Sequence, residues 1–508
     1  MAALLLASGW ALAASPEDLD PGFDGDGRVV TDFSSPEDPG AEGAYDVIVQ
    51  PDGKIVAGGF AKIGGSEDFA LARYNLDGSL NTSFGSDGKV TTDMAGGNDR
   101  VVAIGVQSDG KIVAVGRVGR DEPWMARYNT DGSLDDSLDE DGKMPLNPSR
   151  STDGVTYVAD LAIQEDDKIV VAGDNDGFDL TLARYNADGS LDTSFDEDGK
   201  VTGQFDNQEG SARALAIQPD GKIVLVGIAD DDYRDTGLAR YNADGSPDDS
   251  FAGDGTLATS FTGEDDEGWG VAIQRDGKIV VAVDSYYGAA LRRFKADGSL
   301  DKAFGDGGTV ENTAVSGYKD VAIQEDGKIV AQNSCVYCFR NEMWGVTRHN
   351  PDGSIDTSLR FKFGWGEDER PTANAMALQP DGKVVLAGGL LDDEDLLSDF
   401  RLTRHLGAAF QDDTKPTGSV TIDGGDRVTR DRTVRLALEA KDPEPNSSGV
   451  SKMRIKNAGG EWTKWSPYGH SKAWKLSVGA GSKRVYVQYK DLMGNVSDLA
   501  SDTIAYRP

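Results

Sequence analysis

Cysteine and histidine are almost missing from these 508 residues, with two and three copies. Cys335 and Cys338 stand together as CVYC, and no second pair exists to complete a zinc ligand set. In an oxidising compartment the two read as a small local disulfide, because a redox motif of the thioredoxin kind needs a βα context that the flanking sequence lacks. No apolar run is long enough to be a stable transmembrane helix. Neither a Gly-x-Ser-x-Gly elbow, a His-Glu-x-x-His pair nor a phosphate loop occurs, so no residue is singled out as catalytic. Positive charge is scarce too: 51 lysines and arginines face 87 acids, a net of −36. From Thr414 onward the balance reverses to 16 basic against 10 acidic residues, so the remainder carries −42 against +6. Nucleic-acid binding by the acidic part is excluded, since phosphates need a basic footprint.

What is present is glycine, 64 residues of it, and a repeat. QPDGKIVAGG at Gln50 returns as QSDGKIVAVG, QEDDKIVVAG, QPDGKIVLVG, QRDGKIVVAV, QEDGKIVAQN and QPDGKVVLAG. The residue before each lysine is Gly53, Gly110, Asp167, Gly221, Gly277, Gly327 and Gly382, at intervals of 57, 57, 54, 56, 50 and 55. A second phrase of the form ARYNxDGSLDxSF follows each of the first six, whereas the seventh copy stops at TRHLGAAF. Each unit reads as four short strands: two flanking a Pro-Asp-Gly turn, one before the Asp-Gly-Ser turn and one after it. Four strands without a helix cannot hide both faces alone. Seven such sheets packed face to face around an axis can, which predicts an all-β, seven-bladed β-propeller. The seventh copy lacks a fourth strand, and LDPGFDGDGRVVTDF from Leu19 is a fourth strand without the other three. Joining them closes the ring and removes two sheet edges.

The two phrases resemble delta-60 repeats, a family of exported bacterial tandem-repeat proteins, over roughly residues 19–410. That resemblance implies a propeller and export, and it brings no catalytic residues. The start, MAALLLASGWALAASPED, matches a secretory signal without the usual basic beginning, cut near Ala13. The organisation expected is therefore a signal peptide over 1–13, the propeller over 14–410, a linker over 411–416 and a small β-sandwich over 417–508. SGVSKMRIKN, EWTKWSPY and YKDLMGNVSD give that last segment a likeness to immunoglobulin-like or fibronectin-III-like modules. The likeness implies a spacer or surface-associating accessory.

Seven arginines recur at one place in every copy: Arg73, Arg127, Arg184, Arg240, Arg293, Arg348 and Arg404. They read as framework ion pairs, and the Asp-Gly turns read as turn chemistry. In an antiparallel meander these constant turns share one end of the ring, so the variable connections share the other. That end is where a ligand would be chosen. It carries Trp124, Tyr233, Tyr286, Tyr287, Trp344 and Trp365, aromatics able to stack sugars or fill a partner's pocket, or else to pack between blades. DNDGFD sets Asp174, Asp176 and Asp179 around a glycine, a loop of oxygens suited to calcium, although the distant glutamate of a full calcium loop is missing. No cofactor is otherwise required. In the C-terminal segment Trp462, Trp465 and Trp474 read as core, while His349 and His405 read as framework substitutions. The leading expectation is a secreted or cell-surface, non-enzymatic protein that binds a glycan or protein, with its basic module on an anionic envelope. The alternatives are a secreted polysaccharide hydrolase or lyase on the same scaffold, and a structural envelope component.

Overall fold

The computed structural model describes residues 19–508 apart from 21, 34–40, 120–121, 148–153, 176–178, 231–232, 314, 316, 334–343, 364–369, 392–396, 406–414, 442–449 and 492–494. The chain forms two compact units, divided between Leu406 and Gly407.

In the first repeat Glu42–Val49, Ile55–Ile63, Ser66–Tyr74 and Lys89–Thr92 pair antiparallel in chain order. Pro51-Asp52-Gly53 turns the first pair. Gly53 has φ 87, a left-handed backbone that glycine adopts without a Cβ clash, and its N–H donates to the Gln50 carbonyl at 2.8 Å. Asp167 takes the same conformation at φ 65 without being glycine. Its carboxylate accepts the Ser108 N–H at 2.6 Å from the neighbouring repeat, a bond that offsets the strain. The second strand is apolar without alternation because both of its faces are covered: Ile55, Val56 and Ala57 are all fully buried. Glycine recurs further along that strand for a steric reason. A Cβ on Gly59, Gly116, Gly173 or Gly227 would lie 1.9, 2.1, 1.9 or 2.0 Å from a carbonyl oxygen of the inner strand.

Seven four-stranded antiparallel sheets of this kind occur among the described residues. Their innermost strands are Glu42–Val49, Asp99–Val106, Tyr157–Ile163, Gly210–Ile217, Asp266–Ile273, Tyr318–Ile323 and Arg370–Leu378. Each touches the next, and the last touches the first, so the sheets close into a ring around the inner strands. The core lies between sheets: Val56 and Leu71 of the first pack with Ile104, Ile112 and Tyr128 of the second. Val385, Phe400 and Leu402 of the seventh pack with Ala57 and Tyr74 of the first. The fourth strand of the seventh sheet is Arg28–Thr31, paired with Leu397–His405.

The recurring arginine ties this ring together. Arg127, Arg184, Arg240 and Arg293 donate through Nε to Asp135, Asp192, Asp248 and Asp301 at 2.7, 2.7, 2.6 and 2.9 Å. Through Nη1 the same guanidiniums reach the carbonyls of Ala187, Ala243, Ala296 and Pro351 in the following repeat. Arg73 pairs with Asn81 instead and bonds the Thr130 carbonyl at 2.7 Å. At the seam the acid comes from the other end of the chain. Arg404 donates to Asp20 at 2.8 Å, stands over the Phe23 ring at 4.6 Å and bonds the Leu76 carbonyl of the first repeat.

The second unit is a two-sheet sandwich. Thr417–Ile422, Thr433–Lys441 and Ser471–Lys475 form one sheet. Val428–Thr429, Ala500–Tyr506, Gly481–Asp491, Val450–Asn457 and Ser466–Pro467, in that order, form the other. Ile422, Leu436, Ile455, Val485 and Ile504 meet in one core between them. The core expectation for the three tryptophans holds for Trp474 alone, which packs at the core edge and donates Nε1–H to Asn457 at 3.1 Å. Trp462 and Trp465 stand outside it, under cations: Arg454 lies 4.7 and 4.6 Å from their rings, Lys456 4.6 Å from the first and Lys490 4.5 Å from the second. Alternation along Val450–Asn457 puts Arg454 and Lys456 on the face opposite Ile455, and long cationic stems cover aromatic surface there.

Removing the seam acid strands a buried guanidinium, since the Arg404 and Asp20 side chains are 4% and 8% exposed. Asp20→Ala is expected to lower unfolding stability by about 3–5 kcal/mol. Asp52→Ala, at an exposed turn, should change it by less than about 1 kcal/mol. Urea denaturation of the two variants beside the parent checks this.

Candidate ligand-binding site

Strand direction assigns the two ends of the ring. The Asp-Gly and Asp-Gly-Ser turns lie at one end, held by the arginine ties. The opposite end begins each inner strand and carries the connections between second and third strands. Tyr286 and Tyr287 occupy one of those connections, 69% and 60% exposed, with ring centroids 5.1 Å apart and planes at 87°. Tyr233 occupies another and is exposed. Trp124 does not join them. It is half-buried against the cluster of Phe69, Met94 and Val118, and its indole N–H has no partner among the described residues. Trp344 begins the strand Trp344–His349, whereas Trp365, Cys335, Cys338 and Asp176 lie outside the described residues. Asp174 and Asp179 turn to separate partners. Asp174 accepts the Ala212 N–H of the next sheet at 2.7 Å, and burial pushes its pKa up to about 6. Asp179 accepts from Gln204 at 2.7 Å and from Asn175 at 3.3 Å. Among the described residues Asp68, Asp93 and Asp99 bring carboxylate oxygens within 4.8 Å of one another. Asp99 there accepts the Met94 and Gly119 N–H groups and Asp93 that of Gly96, so these carboxylates cap turns.

A second group was not legible in the sequence. Every inner strand carries a bulge, where the register with the second strand slips by one residue. The extra residue is Tyr45, Val102, Ala159, Arg213, Trp269, Lys319 or Asn374, a different residue type in each sheet. Each is half-buried at the middle of the ring. Trp269 of the fifth sheet has the Arg213 guanidinium 4.8 Å and the Lys319 ammonium 3.5 Å from its ring centroid, one from each flanking sheet. Its Nε1–H donates to Glu267 at 3.1 Å, and Glu267 also holds Arg234 at 2.9 Å. Lys319 pairs with Asp284 at 2.6 Å. Beside Tyr45, Arg100 pairs with Glu67 and stands over the Phe60 ring at 4.7 Å.

The family model described as "Domain of unknown function (DUF5122) beta-propeller" matches residues 50–84, 107–138, 164–195, 218–251 and 274–304, each running from the first repeated phrase into the second. These five matches support a delta-60-like repeat β-propeller. Among curated proteins no relative matches. Solved structures similar to this propeller include a streptogramin B lyase, at 11% identity over 74% of this chain and 97% of that one, with a TM-score of 0.46. A puromycin hydrolase shares 15% over 82% and 63%, with a TM-score of 0.45. Virginiamycin B lyase from Staphylococcus aureus shares 15% over 66% and 90%, with a TM-score of 0.39. Likeness at that level carries no chemistry across.

The residue after each bulge faces the propeller axis, and in three sheets it is an aspartate. Asp46, Asp160 and Asp320 each accept the N–H of the following residue at 2.7 Å. With the other oxygen they accept the N–H of Ile104, Leu215 or Met376 in the next sheet, at 2.7, 2.8 and 3.2 Å. They are staples between inner strands. Burial pushes Asp46 up to about 6, Asp160 to about 8 and Asp320 to about 7, and their mutual repulsion adds to the last two. Glu42, at the seam, is pushed up to about 8 by burial as well.

These four carboxyls, like Asp174, bind protons more tightly in the folded chain than in the unfolded one. Their contribution to stability is therefore fully present below the unfolded value, near pH 4, and is lost as pH rises through the folded values. His405, pushed down to about 3 by burial, opposes this only below its unfolded value of about 6.5. Between about pH 6.5 and 8 the acids act alone, and the unfolding midpoint is expected to fall. Asp160→Asn keeps an acceptor and removes the charge, so it should flatten that slope. Thermal melts across this range check it.

Proposed function

We propose that this propeller is an exported, non-enzymatic binding protein that holds a glycan at its variable end. The observation that carries the reading is the contrast between the ends. One is spent on repeated turns and arginine ties, while the other presents the exposed Tyr286–Tyr287 pair, Tyr233 and the unrepeated cluster around Trp269. Exposed tyrosines at right angles offer flat, apolar faces with hydroxyl tips, the surface that sugar rings stack on and bond to. The sandwich, which we read as an immunoglobulin-like accessory, supports attachment to an anionic envelope through Arg454, Lys456 and Lys490 over Trp462 and Trp465.

A hydrolase or lyase is the second reading, favoured by the raised pKa of Asp174 and Asp284 near Arg213 and Lys319. Each of those acids already has a partner, the Ala212 N–H or the Lys319 ammonium, and no pair of free carboxylates faces across the site among the described residues.

A polysaccharide and cell-wall glycan array, with calcium and with chelator, tests both. Intact glycan is expected to be retained, and the double variant Tyr286→Ala/Tyr287→Ala should lose about tenfold or more in affinity, a loss above 1 kcal/mol. Shed fragments point to the enzyme. Retention of nothing overturns the glycan reading in favour of a structural component. Trp462→Ala/Trp465→Ala should weaken salt-sensitive cosedimentation with anionic cell wall and leave the array result unchanged.

A further inference from the structure

The cations around Trp269 are not equivalent. Arg234 has Glu267, and Lys319 has Asp284. Arg213, half-buried on the inner strand Gly210–Ile217, stacks on Trp269 and donates no hydrogen bond to any described residue. Its Nε is enclosed by protein and has no acceptor. Asp174 and Glu267 are near enough to act through their charge, but their hydrogen bonds go elsewhere: Asp174 accepts the Ala212 N–H, and Glu267 accepts from Arg234 and Trp269. Burial pulls the Arg213 pKa down from its ordinary value, the direction expected of a desolvated cation whose neighbours compensate it incompletely. A guanidinium presents its donors in a rigid planar fork that fits a carboxylate through two parallel bonds. The adjoining sheets hold that fork in place: Trp269 covers its face, and the Asp174–Ala212 bond pins the strand beside it.

We infer that Arg213 anchors a single carboxylate on the ligand, so that the sugar bound at the variable end is an acidic one, a uronic acid residue presented singly. The inference rests on the glycan-binding reading above. One carboxylate, not a polyanion, follows from the charge balance. A net of −36 repels a chain of negative groups that must run along the surface, whereas a lone carboxylate needs only the one guanidinium that Arg213 leaves unspent, since charges beyond about 8 Å are screened at physiological salt. Trp269 supplies an apolar wall beside the fork, and the exposed Tyr286–Tyr287 pair stands in the connection of that same fifth sheet.

Calorimetry on the full chain with D-glucuronate, D-glucose and polygalacturonate tests this, together with Arg213→Met and Arg213→Gln. Glucuronate is expected to bind about tenfold or more tighter than glucose, the worth of a hydrogen bond to a charged group. Polygalacturonate should bind no tighter per site than glucuronate. Both variants should abolish the preference for glucuronate over glucose, bringing the two sugars to equal affinity; if the methionine variant does not fold, the glutamine variant gives the answer. Equal affinity of the parent for glucuronate and glucose, or an unaltered preference in the variants, overturns the assignment. Retention of neutral glycans on the array with no acid preference overturns this inference alone, whereas retention of no sugar at all overturns the glycan reading with it.

Discussion

One side chain sets the spacing on which the ring depends. In most repeats the recurring arginine grips the aspartate eight residues on with Nε and the next repeat's turn carbonyl with Nη1. In five repeats, Phe23 at the seam included, a phenylalanine ring lies beneath it. A charge that is 6% exposed or less is costly to bury alone. The tie satisfies it only when two sheets stand at the right separation, so the same interaction that neutralises the cation also measures the distance between neighbours. Hydrophobic packing between sheets supplies the attraction, and the guanidinium supplies the registry.

That economy divides the molecule. The end with the ties is uniform because uniform ties require it. The inner strands carry a different constraint, since each needs a bulge to fit around a crowded axis, and a bulge aims one residue where no repeated partner waits for it. In three sheets the next position holds a staple, Asp46, Asp160 or Asp320; elsewhere it is alanine or glycine. The bulge residues themselves are free to differ, and they do, from Val102 to Trp269. Arg213 and Lys319 contrast sharply with the framework arginines: Lys319 is paired at the surface of the site, and Arg213 keeps its donors unspent.

The periodic part of this arrangement was legible in the sequence because it is local. The Pro-Asp-Gly turn, the apolar second strand and the arginine with its aspartate all lie within one repeat, and the orphan strand at Arg28–Thr31 could be matched to the seventh copy by subtraction. The site was not legible for the opposite reason. Arg213, Trp269 and Lys319 are 56 and 50 residues apart, in the least repetitive segment of each unit, and only closure of the ring brings them together. Trp124 takes the other role the sequence left open for these aromatics, because an aromatic near a loop can point along the sheet normal, which here means into the space between two sheets. Trp462 and Trp465 misled because counting tryptophans does not say which face of a strand alternation they cover.

The seam carries a further consequence, for the order of events. Asp20 and Arg404 are 384 residues apart, so their bond, beside the bridge between Leu19 and His405, closes a loop that spans the whole ring. Closing a loop of that length costs about 5 kcal/mol of chain entropy on the logarithmic scale. Sheets built from consecutive strands assemble as the chain emerges, one hairpin after another. The first strand must wait, with its edge unpaired, until the seventh repeat has been made. The ring is therefore closed in a single late step, by a strand made before all the sheets that lie between it and its partner.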